Sequence, residues 1–115
     1  MRIRIIGGGP VAMALALWLR RQGLSREAMA LQYRDEALPA ALASRSLALS
    51  LGSWQLLGRI ITAPQAAPIG QVDVSVQAHP AHLMMRATEL KVPALGYVVR
   101  YGALWEALRA AAQQA

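Results

Sequence analysis

A chain of 115 residues has room for one domain, and its hydrophobic content of 56% is sufficient for a core. The net charge is +6, but the arginines are scattered and do not alternate with aromatic residues, so no nucleic-acid partner is expected. The lack of cysteine excludes disulfides, thiolate metal sites and cysteine nucleophiles.

We expect neither a signal peptide nor a membrane-spanning helix in this sequence. Arg2 and Arg4 are followed by glycines and not by the apolar region of a signal peptide. The longest apolar run, residues 11–19, is shorter than the roughly twenty residues of a membrane-spanning helix. We therefore expect a cytoplasmic chain, with peripheral contact to a membrane left open.

The first third of the chain reads as strand, glycine turn, helix and strand. Residues 2–6 are short and β-branched, which is typical of a strand. Residues 10–22 are apolar almost all round and predict a buried helix with Gly23 at its C-terminal end. Residues 28–34 alternate between apolar and polar side chains and predict a second strand. This order is that of a βαβ unit.

The rest of the chain predicts further short elements. We expect a loop over 35–44, a short strand over 46–50, and a helix that Ser53 caps and that runs to about Ile61. The later elements are, in order, an alternating strand at Val72, Val74 and Val76, a strand over 83–88, a turn over 93–96, a strand over 97–99 and a helix from Gly102. The sequence thus predicts one α/β domain over residues 1–115.

The glycine turn fits the dinucleotide-binding pattern G-x-G-x-x-G/A. Its residues, all candidates for binding a cofactor, are Gly7, Gly8, Gly9, Pro10, Val11 and Ala12. Gly7 allows the tight turn, Gly9 lets the backbone approach a pyrophosphate, and Ala12 permits close packing of helix on strand. The helix N-terminus offers N–H groups to the phosphates, although Pro10 supplies none. The alternative is a turn that only joins strand to helix.

An acidic residue is expected at the end of the second strand, where it would hold the adenosine ribose. The natural register of the strand places Tyr33 at this position. Asp35 lies two residues later on the same face and is favoured as the ribose ligand. The alternative is that Asp35 is an ordinary loop acid.

Three later segments resemble the ubiquinone-biosynthesis hydroxylases, which are p-hydroxybenzoate hydroxylase-like FAD monooxygenases. The first is an Arg-x-x-Ala-Leu-Ser stretch that begins at Arg45 and continues to residue 57. The others are residues 68–79, with Pro68-Ile69 leading into Val72-Asp73-Val74-Ser75 and His79, and residues 93–99. They follow the glycine turn in the order and spacing of that family.

The resemblance implies a Rossmann-like FAD-binding fold that is incomplete relative to the full family fold. It implies that the glycine turn faces the FAD pyrophosphate, that Arg45 reaches the cofactor and that Arg100, after the last strand, approaches it. It further implies aromatic-ring hydroxylation, with NAD(P)H as reductant and a polyprenyl phenol as substrate. No catalytic acid or base is assigned.

Two motifs of the same family do not occur in this sequence. Family members carry an Asp-Gly pair and a Gly-Asp pair, whereas neither Asp35 nor Asp73 has a glycine neighbour. We therefore expect a fragment, or one half of a split enzyme that joins a complementary chain. The alternatives are an inactive accessory subunit that docks with other quinone-synthesis proteins, and an NAD-binding domain of another family. No metal site is expected at His79 and His82, because Pro80 indicates a turn.

Overall fold

The computed structural model describes residues 2–33, 38–75 and 82–114, apart from the side chain of residue 82. The elements are, in order, β1 (Ile3–Ile6), α1 (Pro10–Arg21), β2 (Met29–Gln32), α2 (Ala40–Ala43), β3 (Ser46–Ser50), α3 (Leu51–Leu57), β4 (Ala66–Ile69), β5 (Gln71–Ser75), β6 (His82–Arg86), β7 (Gly96–Arg100) and α4 (Tyr101–Gln114). The described residues form a mixed α/β structure with three small sheets.

The first sheet contains β1 and β2, which run parallel and are joined by α1. Ile3 lies opposite Met29 and Ile6 opposite Gln32. The strand, helix and strand predicted from residues 2–34 are therefore observed, in the order of a βαβ unit. Assignment of this unit to a Rossmann-like FAD-binding fold stays a prediction.

Gly23, which was predicted at the C-terminal end of the first helix, follows the last residue of α1 after Gln22. Gly23 has a φ of +101°, a left-handed conformation that costs glycine little and most other residues more. The Leu24 N–H donates to the Leu19 carbonyl oxygen at 3.0 Å, and the Gly23 N–H to that of Arg20 at 3.1 Å. This pair of hydrogen bonds closes the helix and turns the chain back toward β2.

The second sheet has the strand order β3-β7-β4, with both neighbours antiparallel to β7. A Cβ atom at Gly96 would collide with the Leu49 carbonyl oxygen, so the close approach of β3 and β7 requires glycine there. Strand β4 was not predicted from the sequence, and its Pro68 is a residue that strands rarely contain. Pro68 is tolerated because β4 is an outer strand of this sheet.

The third sheet pairs β5 with β6 antiparallel, with Val72 opposite Met85. The predicted alternation of valines agrees with β5, and Val76 lies outside the described residues. Two of its apolar side chains are largely exposed, Val74 at 45% and Leu83 at 60%. This sheet therefore contributes little to the main core.

The core lies between α1, α4 and β7. Its buried residues are Met13, Leu17, Ile61, Val99, Leu104 and Leu108. The predicted spacing of Leu104 and Leu108, one helical turn apart, puts both on the buried face of α4. Helix α4 is thereby fixed against α1 beside the glycine turn.

Two predictions about local structure were wrong. The expected loop over 35–44 contains the short helix α2. The next helix begins at Leu51 and ends at Leu57, and its cap is Ser50: the Ser53 N–H donates to the Ser50 hydroxyl at 3.2 Å. A capping hydroxyl accepts from an N–H two or three residues later, which places the cap at Ser50 and not at Ser53.

Candidate functional site

The glycine turn joins β1 to α1, and its first glycine is required by the backbone. Gly7 has a φ of +139°, a conformation that residues with a side chain rarely adopt. Its N–H donates to the Gln32 carbonyl oxygen at 2.8 Å, which ties the turn to the end of β2. A Cβ at Gly7 would lie 3.4 Å from the Ala12 Cβ, so a small residue at position 12 allows the helix to pack closely.

Gly8 is held between β2 and α4. A Cβ atom at this position would lie 3.1 Å from the Cβ of Tyr33, which is closer than ordinary van der Waals contact. The Gly8 carbonyl oxygen accepts a hydrogen bond of 2.9 Å from the indole Nε1 of Trp105. Glycine at position 8 is therefore explained by packing inside the protein.

Gly9 differs from its two neighbours because nothing in the described structure requires glycine there. Its φ of −84° and ψ of 174° are extended values that any residue adopts. The nearest atom to a Cβ at Gly9 is the Tyr101 hydroxyl oxygen, at 3.9 Å. The protein itself thus leaves room for a side chain at this position.

The N-terminus of α1 presents unpaired N–H groups. The first intrahelical bond runs from the Met13 N–H to the Gly9 carbonyl oxygen at 3.2 Å, and no side chain caps the helix. In the described part of the chain, the N–H groups of Gly8, Gly9, Val11 and Ala12 have no acceptor. Val11 is 84% exposed, so this end of the helix faces solvent. Free N–H groups and the positive end of the helix dipole favour an anion here.

Helix α4 contributes aromatic residues whose position beside the glycine turn was not predicted from the sequence. The Tyr101 hydroxyl lies next to Gly9, and the Trp105 indole, one helical turn later, holds Gly8. Another turn on, the Arg109 guanidinium lies 4.9 Å from the centroid of the Trp105 ring and 5.9 Å from that of Tyr33. The four-residue spacing of the three residues was the available signal, because it places them on one helical face.

The structure brings Arg45 and Arg100 together at one end of the second sheet. Ser46, next to Arg45, is paired with Arg100, and the Tyr101 N–H donates to the Arg45 carbonyl oxygen at 2.8 Å. Both arginines are exposed. Since Tyr101 also lies next to Gly9, the two predicted cations flank the start of α4 close to the glycine turn.

The ribose position predicted at the end of β2 is only partly described. Tyr33 follows β2 directly, as the natural register of the strand predicted. Asp35, the favoured ribose ligand, lies outside the described residues, and so does His79. Within the described ranges, no group of three potential metal ligands occurs.

A cavity of about 360 Å³ lies beyond Tyr33, between α1, β2 and α4. Its lining includes the buried residues Met13 and Leu17, and three arginines line it as well: Arg20, Arg26 and Arg109. Tyr33 thus lies between the glycine turn and a cavity that apolar residues and arginines line together.

The chain is 33% identical to the 3-demethoxyubiquinol 3-hydroxylase of Escherichia coli (strain K12), over 127 aligned positions that cover 94% of this chain. The chain spans about 30% of the length of that relative. No family model matches. The predicted relation to a ubiquinone-biosynthesis hydroxylase is thereby supported, while the FAD monooxygenase family and the dependence on FAD stay predictions.

Among the helices of the described residues, none combines the length and the apolar character needed to cross a membrane.

Proposed function

We propose that the glycine turn binds the pyrophosphate of FAD, and that the chain is the FAD-binding portion of an aromatic-ring hydroxylase of ubiquinone biosynthesis. The similarity to a 3-demethoxyubiquinol 3-hydroxylase supports a relation to the hydroxylases of ubiquinone biosynthesis. The proposal extends to NAD(P)H as reductant and a polyprenyl phenol as substrate.

The observation that carries the cofactor proposal is the space at Gly9. Its backbone is ordinary and its Cβ position is open, so the fold gives no reason for glycine there. A ligand that lies directly on the backbone gives such a reason, because a methyl group would occupy the place of a phosphate oxygen. The residues present therefore fit a pyrophosphate.

The surrounding charges support the same ligand. The turn presents the N–H groups of Gly9, Val11 and Ala12, and no acidic residue lies in the first turn of α1. Arg45 and Arg100, which are both exposed, add two positive charges near the start of α4. Guanidinium groups and helix N-termini are both common partners of phosphate in proteins.

FAD, when bound, supplies the redox and oxygen chemistry, and the residues of this chain bind and orient it. The chain offers backbone donors and cations for the pyrophosphate, and Tyr33 or Asp35 for the ribose. No described residue is assigned to proton transfer. The cavity beyond Tyr33 is not assigned to the substrate.

The test is a flavin titration that compares Gly9→Ala with Gly52→Ala. Both positions have open space beyond the Cβ and no positive φ, so both variants should fold. Forcing an extra methyl group into a packed contact costs about 1–3 kcal/mol, so Gly9→Ala should weaken FAD binding by about 10- to 100-fold. Gly52→Ala should bind like the wild type, and the dissociation constant is read from quenching of flavin fluorescence.

The outcomes separate the proposal from its alternative. A wild-type chain that does not bind FAD, or a Gly9→Ala variant that binds it equally well, contradicts the FAD proposal. A chain that binds FAD but does not oxidise NAD(P)H, with or without a complementary chain, fits the accessory subunit instead of the hydroxylase. Oxidation of NAD(P)H that is stimulated by a ubiquinol-type phenol supports the hydroxylase.

A further inference from the structure

The carbonyl group of Gly8 is held by a side chain 97 residues further along the chain. The indole Nε1 of Trp105 donates to the Gly8 carbonyl oxygen at 2.9 Å. Helix α4 carries this indole, and its Leu104 and Leu108 are only 2% and 0% exposed. The core therefore fixes the position of the indole, and the indole in turn fixes the glycine turn.

This hydrogen bond also determines where the next N–H group points. The Gly8 carbonyl and the Gly9 N–H belong to one planar trans peptide group, in which the two point in opposite directions. With the oxygen on the indole, the Gly9 N–H faces away from Trp105. A hydrogen bond to the carbonyl also polarises the peptide group and makes the N–H a stronger donor.

We infer that Trp105 is a positioning residue for a pyrophosphate on the glycine turn, because its indole N–H fixes the Gly8–Gly9 peptide and presents the Gly9 N–H to a phosphate oxygen. This inference rests on the proposed function, since it assigns a role within the proposed site. The Arg109 guanidinium lies over the Trp105 ring, 4.9 Å from its centroid, and so packs against the indole that donates to Gly8.

The primary comparison is Trp105→Phe against Trp54→Phe. Each variant replaces one indole by a smaller aromatic ring, but Trp54 stacks on Tyr97 at 4.6 Å and makes no hydrogen bond to the glycine turn. Loss of the indole N–H should raise the dissociation constants of inorganic pyrophosphate and of FAD by about tenfold. The Trp54→Phe variant should stay within about twofold of the wild type.

A third variant, Trp105→His, separates a donor role from a packing role. The imidazole Nε2 occupies the same place in its five-membered ring as the indole Nε1, so histidine can restore the hydrogen bond. If the N–H matters, pyrophosphate affinity decreases in the order wild type, His, Phe. If only ring size matters, the smaller imidazole is worse than phenylalanine, and that order overturns the inference.

Binding of inorganic pyrophosphate is followed through the ¹⁵N–¹H signals of the Gly9 amide and of the Trp105 indole. In the wild type both signals should shift as pyrophosphate is added. This measurement needs no variant, so it still decides the matter if Trp105→Phe does not fold. An indole signal that stays in place while pyrophosphate binds overturns the inference.

The two ligands distinguish this inference from the proposed function. If pyrophosphate binds with the order wild type, His, Phe but FAD does not bind, the role of Trp105 stands and the FAD proposal fails. If both ligands bind and Trp105→Phe equals the wild type, the FAD proposal stands and the role of Trp105 fails. If neither ligand binds the wild type, both are overturned.

Discussion

Helices α1 and α3 both follow a strand, but only α3 has a side chain over its first turn. The Ser50 hydroxyl accepts from the Ser53 N–H and so satisfies one of the free donors of α3. At α1 the corresponding position is Gly9, which has no side chain and leaves the donors open. The protein itself thus provides an acceptor for the first turn of α3, whereas the free N–H groups of α1 could be satisfied by a bound anion.

The same contrast exists within the glycine turn itself. Gly7 is required by its positive φ, and Gly8 by contact with Tyr33, so both serve the fold. Gly9 serves neither purpose. Within one motif, therefore, Gly7 and Gly8 are needed for the fold, and Gly9 is the candidate binding residue.

The largest loss of stability is expected from Gly7→Ala, which should strain the turn that precedes α1. A side chain held at a φ of +139° costs on the order of 1–3 kcal/mol of unfolding free energy. Urea denaturation followed by circular dichroism measures the loss. Gly70→Ala is the control, because its Cβ meets no atom within 4 Å, and equal midpoints for the two variants would contradict the assigned strain.

A smaller effect is expected from Ser50→Ala, which opens the start of α3 and makes it resemble α1. Loss of a capping hydroxyl costs about 1 kcal/mol of unfolding free energy, again read from urea denaturation. The matched control is Ser53→Ala. This variant keeps the backbone N–H that donates to the Ser50 hydroxyl and loses only the hydrogen bond between the two hydroxyls. If Ser53→Ala proves the more damaging variant, Ser50 is not the cap.

The smallest effect on stability, and the most informative, is expected from Gly9→Ser, which closes the start of α1 as Ser50 closes that of α3. Replacing glycine by serine at a helix N-cap adds a few tenths of a kcal/mol, about 0.3, to the unfolding free energy. Under the proposed function the same variant weakens FAD binding. Thermal unfolding should therefore show a higher stability and flavin titration a lower affinity for FAD. An increase in both stability and affinity would argue against a ligand at Gly9.

The parts of the structure that were predictable from the sequence are those with a local periodic pattern. The apolar helix after Gly9, the glycine at its end and the leucine spacing of α4 each depend on neighbours within a few residues. The same holds for the motif at residues 7–12, whose spacing alone indicated a candidate site.

The parts that were not predictable depend on contacts between distant segments. Strand β4 forms because an outer position is open beside β7, which no local pattern around Pro68 reveals. The indole of Trp105 reaches Gly8 only because α4 packs against α1. The position of the α3 cap was misjudged for a different reason, since two nearby serines could both have served and only geometry selects Ser50.

The bond between Trp105 and Gly8 has a consequence for the order of events during protein synthesis. The glycine turn leaves the ribosome 97 residues before the indole that holds it. At about 5–20 residues per second, this delay lasts roughly 5–20 seconds. During that interval the nascent turn lacks the contact that fixes Gly8, so the turn reaches its final form only after α4 has emerged and packed against α1.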